Sequence, residues 1–230
     1  MNRALKALIF GGLILTLWGC GSDDPAPLTG DSSSDQVIDR FASSEQTYET
    51  LHGKVVGQGK AGEFVEEVWF EPGVGFRREW LSGIDPFGVS NPGDVYIVSD
   101  QGFWRIANDR RQYCHYPPPG APPFLNATGL SFDLAFTTFQ VLDVEQVATR
   151  PALKINRNIA NPGHHLFVDV VTGVLLKQEW LPEQNEVLAA EFESIEYDAE
   201  LDPTIFEADV PSDYAELSCE QLYPPIESLQ

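Results

Sequence analysis

The spacing of hydrophobic positions changes once along the chain. Val37, Phe41, Tyr48 and Leu51 recur at helical spacing. Ser33, with Gln36 three residues later, has the form of a capping box, in which each side chain satisfies the other's backbone N–H. Together they predict an amphipathic helix from Asp35 to about Thr50. From there a period of two takes over. Leu51, Gly53, Val55 and Gly57 alternate with His52, Lys54, Val56 and Gln58, the pattern of a half-buried strand. Similar runs follow at Phe64–Glu71, Val74–Leu81, Val95–Ser99, Phe103–Ala107, Arg111–Tyr116, Val141–Val147, Ala152–Asn156, His165–Val170, Val174–Trp180 and Val187–Tyr197, which makes about eleven strands.

The separators carry turn chemistry: Glu71-Pro72-Gly73, Asn91-Pro92-Gly93, Asp100-Gln101-Gly102 and Thr172-Gly173. Strands joined this closely are antiparallel neighbours, because a parallel crossover needs about a dozen residues or more, and the domain reads as a meander. Two stretches interrupt it. Residues 116–124 (YPPPGAPPF) are forced towards polyproline geometry and read as an exposed stiff connector, or as an arm for a partner's aromatic groove. Phe132, Ala135, Phe136 and Phe139 then fall at i, i+3, i+4 and i+7, one aromatic face of a second, short helix.

Many strands are apolar on both faces: Val68 and Phe70 against Val65 and Trp69, or Val95 and Ile97 against Tyr96 and Val98. A one-layer meander would alternate cleanly between apolar and polar. The expected fold is therefore mainly β, an unclosed antiparallel half-barrel of about eleven strands with the N-terminal and mid-chain helices as a lid. A sandwich whose inner faces form the core is the other arrangement open at this level.

Charge narrows the function. The 230 residues hold 14 Lys and Arg against 35 Asp and Glu, a net charge of −21, which argues against nucleic acid and against binding an anionic membrane by charge. The acidic runs Glu63/Glu66/Glu67 and Glu191/Glu193/Glu196 read as solvated strand faces. Enzyme signatures are missing: the four histidines form no zinc spacing, and there is no nucleophile elbow, P-loop or dinucleotide glycine pattern, so neither catalysis nor a cofactor is expected.

At the N-terminus, Arg3 and Lys6 precede an apolar stretch from Ala7 to Trp18, the layout of a secretory signal too short to span a membrane comfortably. Leu17-Trp18-Gly19-Cys20 resembles the bacterial lipobox, which implies cleavage after residue 19 and acylation of Cys20 as a membrane anchor. In such lipoproteins the residue after the cysteine directs sorting, and Gly21 rather than Asp implies the outer membrane, facing the periplasm. Removing residues 1–19 takes away two of the 14 basic side chains and leaves 12 against 35, a net charge of −23. Residues 20–36 read as the acylated cysteine and a flexible tether, and 37–230 as the folded domain. In an oxidising compartment the other two cysteines, Cys114 and Cys219, read as one disulfide, with two unpaired thiols as the other reading.

The motifs of the domain resemble the outer-membrane lipoprotein carrier (LolA/LolB-like) superfamily, including its RseB/MucB-type relatives. Val68-Trp69-Phe70-Glu71-Pro72, Phe76-Arg77-Arg78-Glu79-Trp80 and residues 95–104 are similar to its N-terminal half. Glu145 to Ala152, the Asp169/Thr172/Gly173 hairpin, and Phe206 with Pro211 are similar to its second half. The resemblance covers roughly residues 35–212. It implies a hydrophobic cavity for a lipid or lipoprotein acyl chain, whose candidate lining is Trp69, Phe76, Trp80, Trp104, Phe136, Phe139, Trp180 and Phe192. In the carriers an Arg directly before the Pro of the first segment holds the lid closed; here Glu71 stands there, and Arg77, Arg78 and Arg150 are the candidates to replace it. The resemblance equally implies, as the alternative, an envelope-stress regulatory or interaction module that binds a protein partner.

Overall fold

The computed structural model describes residues 28–42, 48–59, 62–84, 90–118, 139–156, 163–180 and 188–222. Twelve strands form one sheet: β1 Leu51–Gly59, β2 Gly62–Glu71, β3 Gly75–Ser82, β4 Val95–Ser99, β5 Gly102–Ala107, β6 Gln112–Tyr116, β7 Gln140–Val147, β8 Arg150–Asn156, β9 His164–Asp169, β10 Leu175–Trp180, β11 Leu188–Tyr197 and β12 Ala215–Glu216. Eleven coincide with the alternating runs of the sequence. Their order is β12-β6-β5-β4-β3-β2-β1-β11-β10-β9-β8-β7, an unclosed half-barrel.

That order corrects the simple meander. A continuous meander would leave β1 at an edge, whereas β1 lies centrally, paired antiparallel with β2 on one side and with β11 on the other. One arm runs outward from β1 to β6. The chain resumes at the opposite edge as β7 and returns strand by strand to β11. Short turns fix only neighbours, and the long connection between β6 and β7 leaves the chain free to change edges.

Helix α1, Ser34–Ala42, has the predicted capping box: the Ser33 N–H donates to Gln36 Oε1 at 2.8 Å and the Gln36 N–H to Ser33 Oγ at 3.3 Å. It is shorter than expected. Glu49 donates its N–H to Asp198 Oδ1 (2.7 Å) and Thr50 its hydroxyl to the Ala199 carbonyl (2.6 Å), so these residues are tied to the end of β11 instead of continuing the helix. Tyr48 packs between Phe70 and Tyr197. Val37 of α1 is fully buried with Leu28, Phe139, Leu153, Ile155, Leu166 and Val168. Chain packed against the domain thus reaches back to Leu28, inside the stretch expected to be tether.

The C-terminal segment is wrapped around the β6 edge. The 3-10 turn Pro203–Phe206 is capped by Asp202 and sets Phe206 over Gly75, where any side chain would collide with the ring (an added Cβ would lie 2.6 Å from it). Ala208, Val210 and Tyr214 then cover Val95, Ile97, Ile106 and Trp104 on one face of the sheet. β12 pairs in parallel with β6, the one parallel pairing among the described strands. Helix α2, Cys219–Leu222, crosses to the other face, where Cys219 and Leu222 are buried with Phe103, Ala107 and Cys114. Cys114 and Cys219 form the expected disulfide, with a Cα–Cα distance of 5.1 Å.

The Asp169/Thr172/Gly173 motif is a hairpin anchor. Fully buried Asp169 accepts from the N–H groups of Val171 (2.8 Å) and Thr172 (3.2 Å), and its other oxygen accepts from the Tyr197 hydroxyl (3.3 Å) and the Arg150 guanidinium. Gly173 supplies the positive φ (74°) that closes the turn. Burial works against the charged Arg150, but its hydrogen bond and attraction to Asp169 win and hold its pKa above the ordinary value. Burial, followed by the Asp169 charge, pushes the Tyr197 hydroxyl up as well.

Candidate functional site

Helices α1 and α2 of the described residues pack on one face of the sheet, here termed the inner face. The register follows it from strand to strand: Leu51, Gly53, Val55 and Gly57 of β1 lie level with Phe64, Glu66, Val68 and Phe70 of β2, and through them with Phe76, Arg78 and Trp80 of β3. Across β11 the same face continues through Phe192 to Leu166 and Val168 of β9 and Leu153 and Ile155 of β8. Phe64, Val68, Phe76, Trp80 and Phe192 are all buried.

Two glycines shape this face. A Cβ on Gly53 would lie 2.5 Å from the Phe192 ring, and one on Gly57 would lie 2.1 Å from the ring of Phe64. The two rings therefore lie directly against the backbone of β1. Only glycine allows that approach.

Charge penetrates the same surface on the β2–β5 arm. Glu66 is buried, contrary to the solvated face expected of its run, because its parity puts it opposite the other acidic side chains. Its Oε2 lies 3.5 Å from Arg78 Nε. The Arg78 guanidinium lies over the rings of Phe76 (5.5 Å) and Trp80 (5.6 Å). Arg105 is fully buried over Tyr96, 3.7 Å from an equally buried Asp94. Burial pushes the Asp94 carboxyl up; the Asn91 N–H and then Arg105 oppose that shift. Elsewhere the acidic runs meet solvent on the outer face, as His52–Glu67 (2.7 Å), Lys54–Glu193 (2.6 Å) and Lys177–Glu191 (3.0 Å).

The eight residues expected to line a cavity do not share one surface. Phe76, Trp80 and Phe192 come together on the inner face, and Phe139 is buried there beneath α1. Trp180 belongs to that face by register but stands at the rim, 44% exposed. Trp69 and Trp104 point to the outer face: period two puts them out of step with Val68 and Phe103, and they stack on His52 and His115 instead. Phe136 and Cys20 lie outside the described residues. Of the three arginines that are candidates to replace the one before Pro72, Arg77 is on the outer face, donating to the Ile205 carbonyl at 3.4 Å, and Arg150 is committed to Asp169. Sequence reasoning passed over Phe64, Glu66 and Arg105 as site residues. The available signal was Gly53 and Gly57 four residues apart, on one strand face, opposite an aromatic.

Among the described residues no group of three or more His, Cys, Asp or Glu is placed to hold a metal ion, and no helix is long and apolar enough to cross a membrane.

An unclosed antiparallel half-barrel with an apolar inner face and helices at both flanks is the class that this geometry defines. No protein-family model matches the chain, and no curated protein matches it in sequence. Solved structures do. An uncharacterized conserved protein from Thermus thermophilus is 16% identical, with 81% of this chain and 99% of that one covered and a TM-score of 0.57. MucB is 17% identical, with 79% of this chain and 65% of MucB covered and a TM-score of 0.52. The Pseudomonas aeruginosa MucA/MucB complex gives 17%, 77% and 62%, with a TM-score of 0.50. The chain thus spans about two thirds of MucB. The likeness to these solved structures is one of fold.

Proposed function

We propose that this protein is a bacterial envelope lipoprotein, anchored in the outer membrane through acylated Cys20, whose half-barrel binds an acyl chain of a lipid or lipoprotein on its inner face without catalysing a reaction. The observation that carries this reading is the inner face itself: Phe64, Val68, Phe76, Trp80 and Phe192 are large apolar side chains brought to one face of the sheet, beside the Glu66–Arg78 pair, in a chain with a net charge of −21. With a net charge of −23 after cleavage, affinity for an amphiphile has to come from apolar burial. Each methylene removed from water contributes about 0.8 kcal/mol, so ten of them supply about 8 kcal/mol before ordering costs. Native mass spectrometry of the lipoprotein purified from membranes tests the reading. A bound lipid, displaced by an added fatty-acyl probe, is expected; a ligand-free protein that takes up no probe refutes it.

A second reading rests on the fold shared with MucB, which is known in complex with MucA. On that reading the partner is an envelope protein and the inner face is only core. Crosslinking in intact cells separates the two, since a single protein adduct with no lipid occupancy would favour the second.

A further inference from the structure

Four of the six large hydrophobic side chains that stand exposed among the described residues lie at or near one end of the sheet. They are Leu81 (43%) at the end of β3 and Ile84 (38%) just after it, Trp180 (44%) at the end of β10 and Leu142 (39%) near the start of β7. The other two, Val74 and Val171, sit in hairpin turns at the opposite end. Leu142 and Trp180 belong to the same arm of the half-barrel. Three strand spacings separate β7 from β10, or about 14 Å at ~4.8 Å per strand.

The N-terminal chain reaches the domain at that arm. Gly30 lies against Asp143 of β7, where a Cβ would be 3.7 Å from the Asp143 Cα. The Ser34 hydroxyl donates to the carbonyl of Phe139, the residue before β7 (3.3 Å), and Leu28 is buried in the cluster beneath α1. Leu28 is eight residues beyond Cys20, and eight residues fully extended span at most about 29 Å. If Cys20 is in the bilayer, the β7 edge cannot stand further from it than that.

We infer that the rim carrying Leu142 and Trp180 rests on the lipid surface in which Cys20 is anchored, so that the inner face is presented to the membrane at a fixed orientation. This rests on the anchor proposed above. Trp180 suits the interface: its indole is amphipathic, and it stacks on His164, at 5.9 Å, rather than packing into the core. Its neighbour Glu179 is paired with Lys177 at 2.8 Å, which softens the charge beside it. The occupant is a zwitterionic lipid surface, because the acidity of the domain disfavours an anionic one.

The test uses the full acylated lipoprotein reconstituted into phosphatidylcholine vesicles whose acyl chains carry bromine. Mass spectrometry establishes acylation, and sedimentation with the vesicles establishes anchoring. Tryptophan emission is expected to be quenched by the brominated lipid in the wild type, much less so in Leu142→Glu, and much less so in Trp180→Phe, which removes the exposed reporter and leaves Trp80 to report an acyl chain on the inner face. Equal quenching in all three, or none in an acylated protein that sediments with vesicles, overturns the rim contact and leaves the anchor standing. A chain that is neither acylated nor vesicle-bound overturns both.

Discussion

Replacing Gly57 by Ala places a methyl group where two different atoms already stand. The added Cβ would lie 2.1 Å from Cζ of Phe64 and 2.8 Å from the carbonyl oxygen of Ala189 on β11. The ring can move, because it is the far end of a side chain. The carbonyl belongs to the β1–β11 ladder and moves only if the strands part. An unhindered Gly→Ala change within a strand would gain about 0.5–1 kcal/mol. Overpacking instead costs about 1–3 kcal/mol, so Gly57→Ala is expected to be net destabilising. Urea unfolding of Gly57→Ala, Phe64→Leu and the double variant separates the two contacts. Phe64→Leu removes the ring, so the double variant should lose less than the sum of the singles by more than the ~0.5 kcal/mol within which independent sites add. The same displacement pushes Phe64 into the inner face, so uptake of an acyl probe should fall in Gly57→Ala and recover in the double variant. A stabilised Gly57→Ala, or strict additivity, would refute the view that this ring lies against β1.

Three further outcomes are expected. Cys114→Ala/Cys219→Ala opens a link across 105 residues, worth about 4.7 kcal/mol on the chain-entropy model, and should lower the thermal midpoint by on the order of 10 °C or more; an unchanged midpoint in calorimetry would contradict it. Asp169→Ala strands two turn N–H groups and a partly exposed Arg150, while the Tyr197 hydroxyl keeps Thr172, and should cost about 2–4 kcal/mol in chemical denaturation, with Asp169→Asn costing clearly less. Hydrogen bonds from the Thr204 N–H, then its hydroxyl, hold the Asp202 carboxyl below its ordinary 3.8. The cap is therefore present in full above that value and is lost as pH falls through the lower folded one. The Thr204 amide resonance should titrate below pH 3.8 and stop doing so in Asp202→Asn.

The strands were legible because their alternation and their turns are local. Eleven runs coincide with β1–β11 to within a few residues, and the Ser33/Gln36 box marks the start of α1. What was not legible depends on residues far apart in sequence. The central place of β1 is set by its ladder to β11, about 140 residues later. The predicted helix beyond Ala42 fails at Glu49 and Thr50, whose hydrogen bonds go to residues 198 and 199. β12 is two residues long and has no periodicity to detect.

The site was half legible for a related reason. Apolar residues on both faces pointed to a covered face, but not to what covers it. On the β4–β5 arm the outer cover is the chain's own C-terminal segment: Ala208, Val210 and Tyr214 lie over Val95, Ile97, Ile106 and Trp104. Trp104 is therefore part of a local sandwich rather than of a binding face. The unassigned apolar surface is correspondingly smaller than the aromatic content suggests, and it lies where the outer face opposite is polar: on β1, β2 and β11, whose outer side carries His52, Lys54, Glu67 and Glu191. On the reading proposed above, the apolar inner side is the one offered to an acyl chain. The Gly53/Phe192 and Gly57/Phe64 contacts lie on that side, so on the acyl-chain reading proposed above these two rings are where ligand binding and the packing of the sheet have to be reconciled.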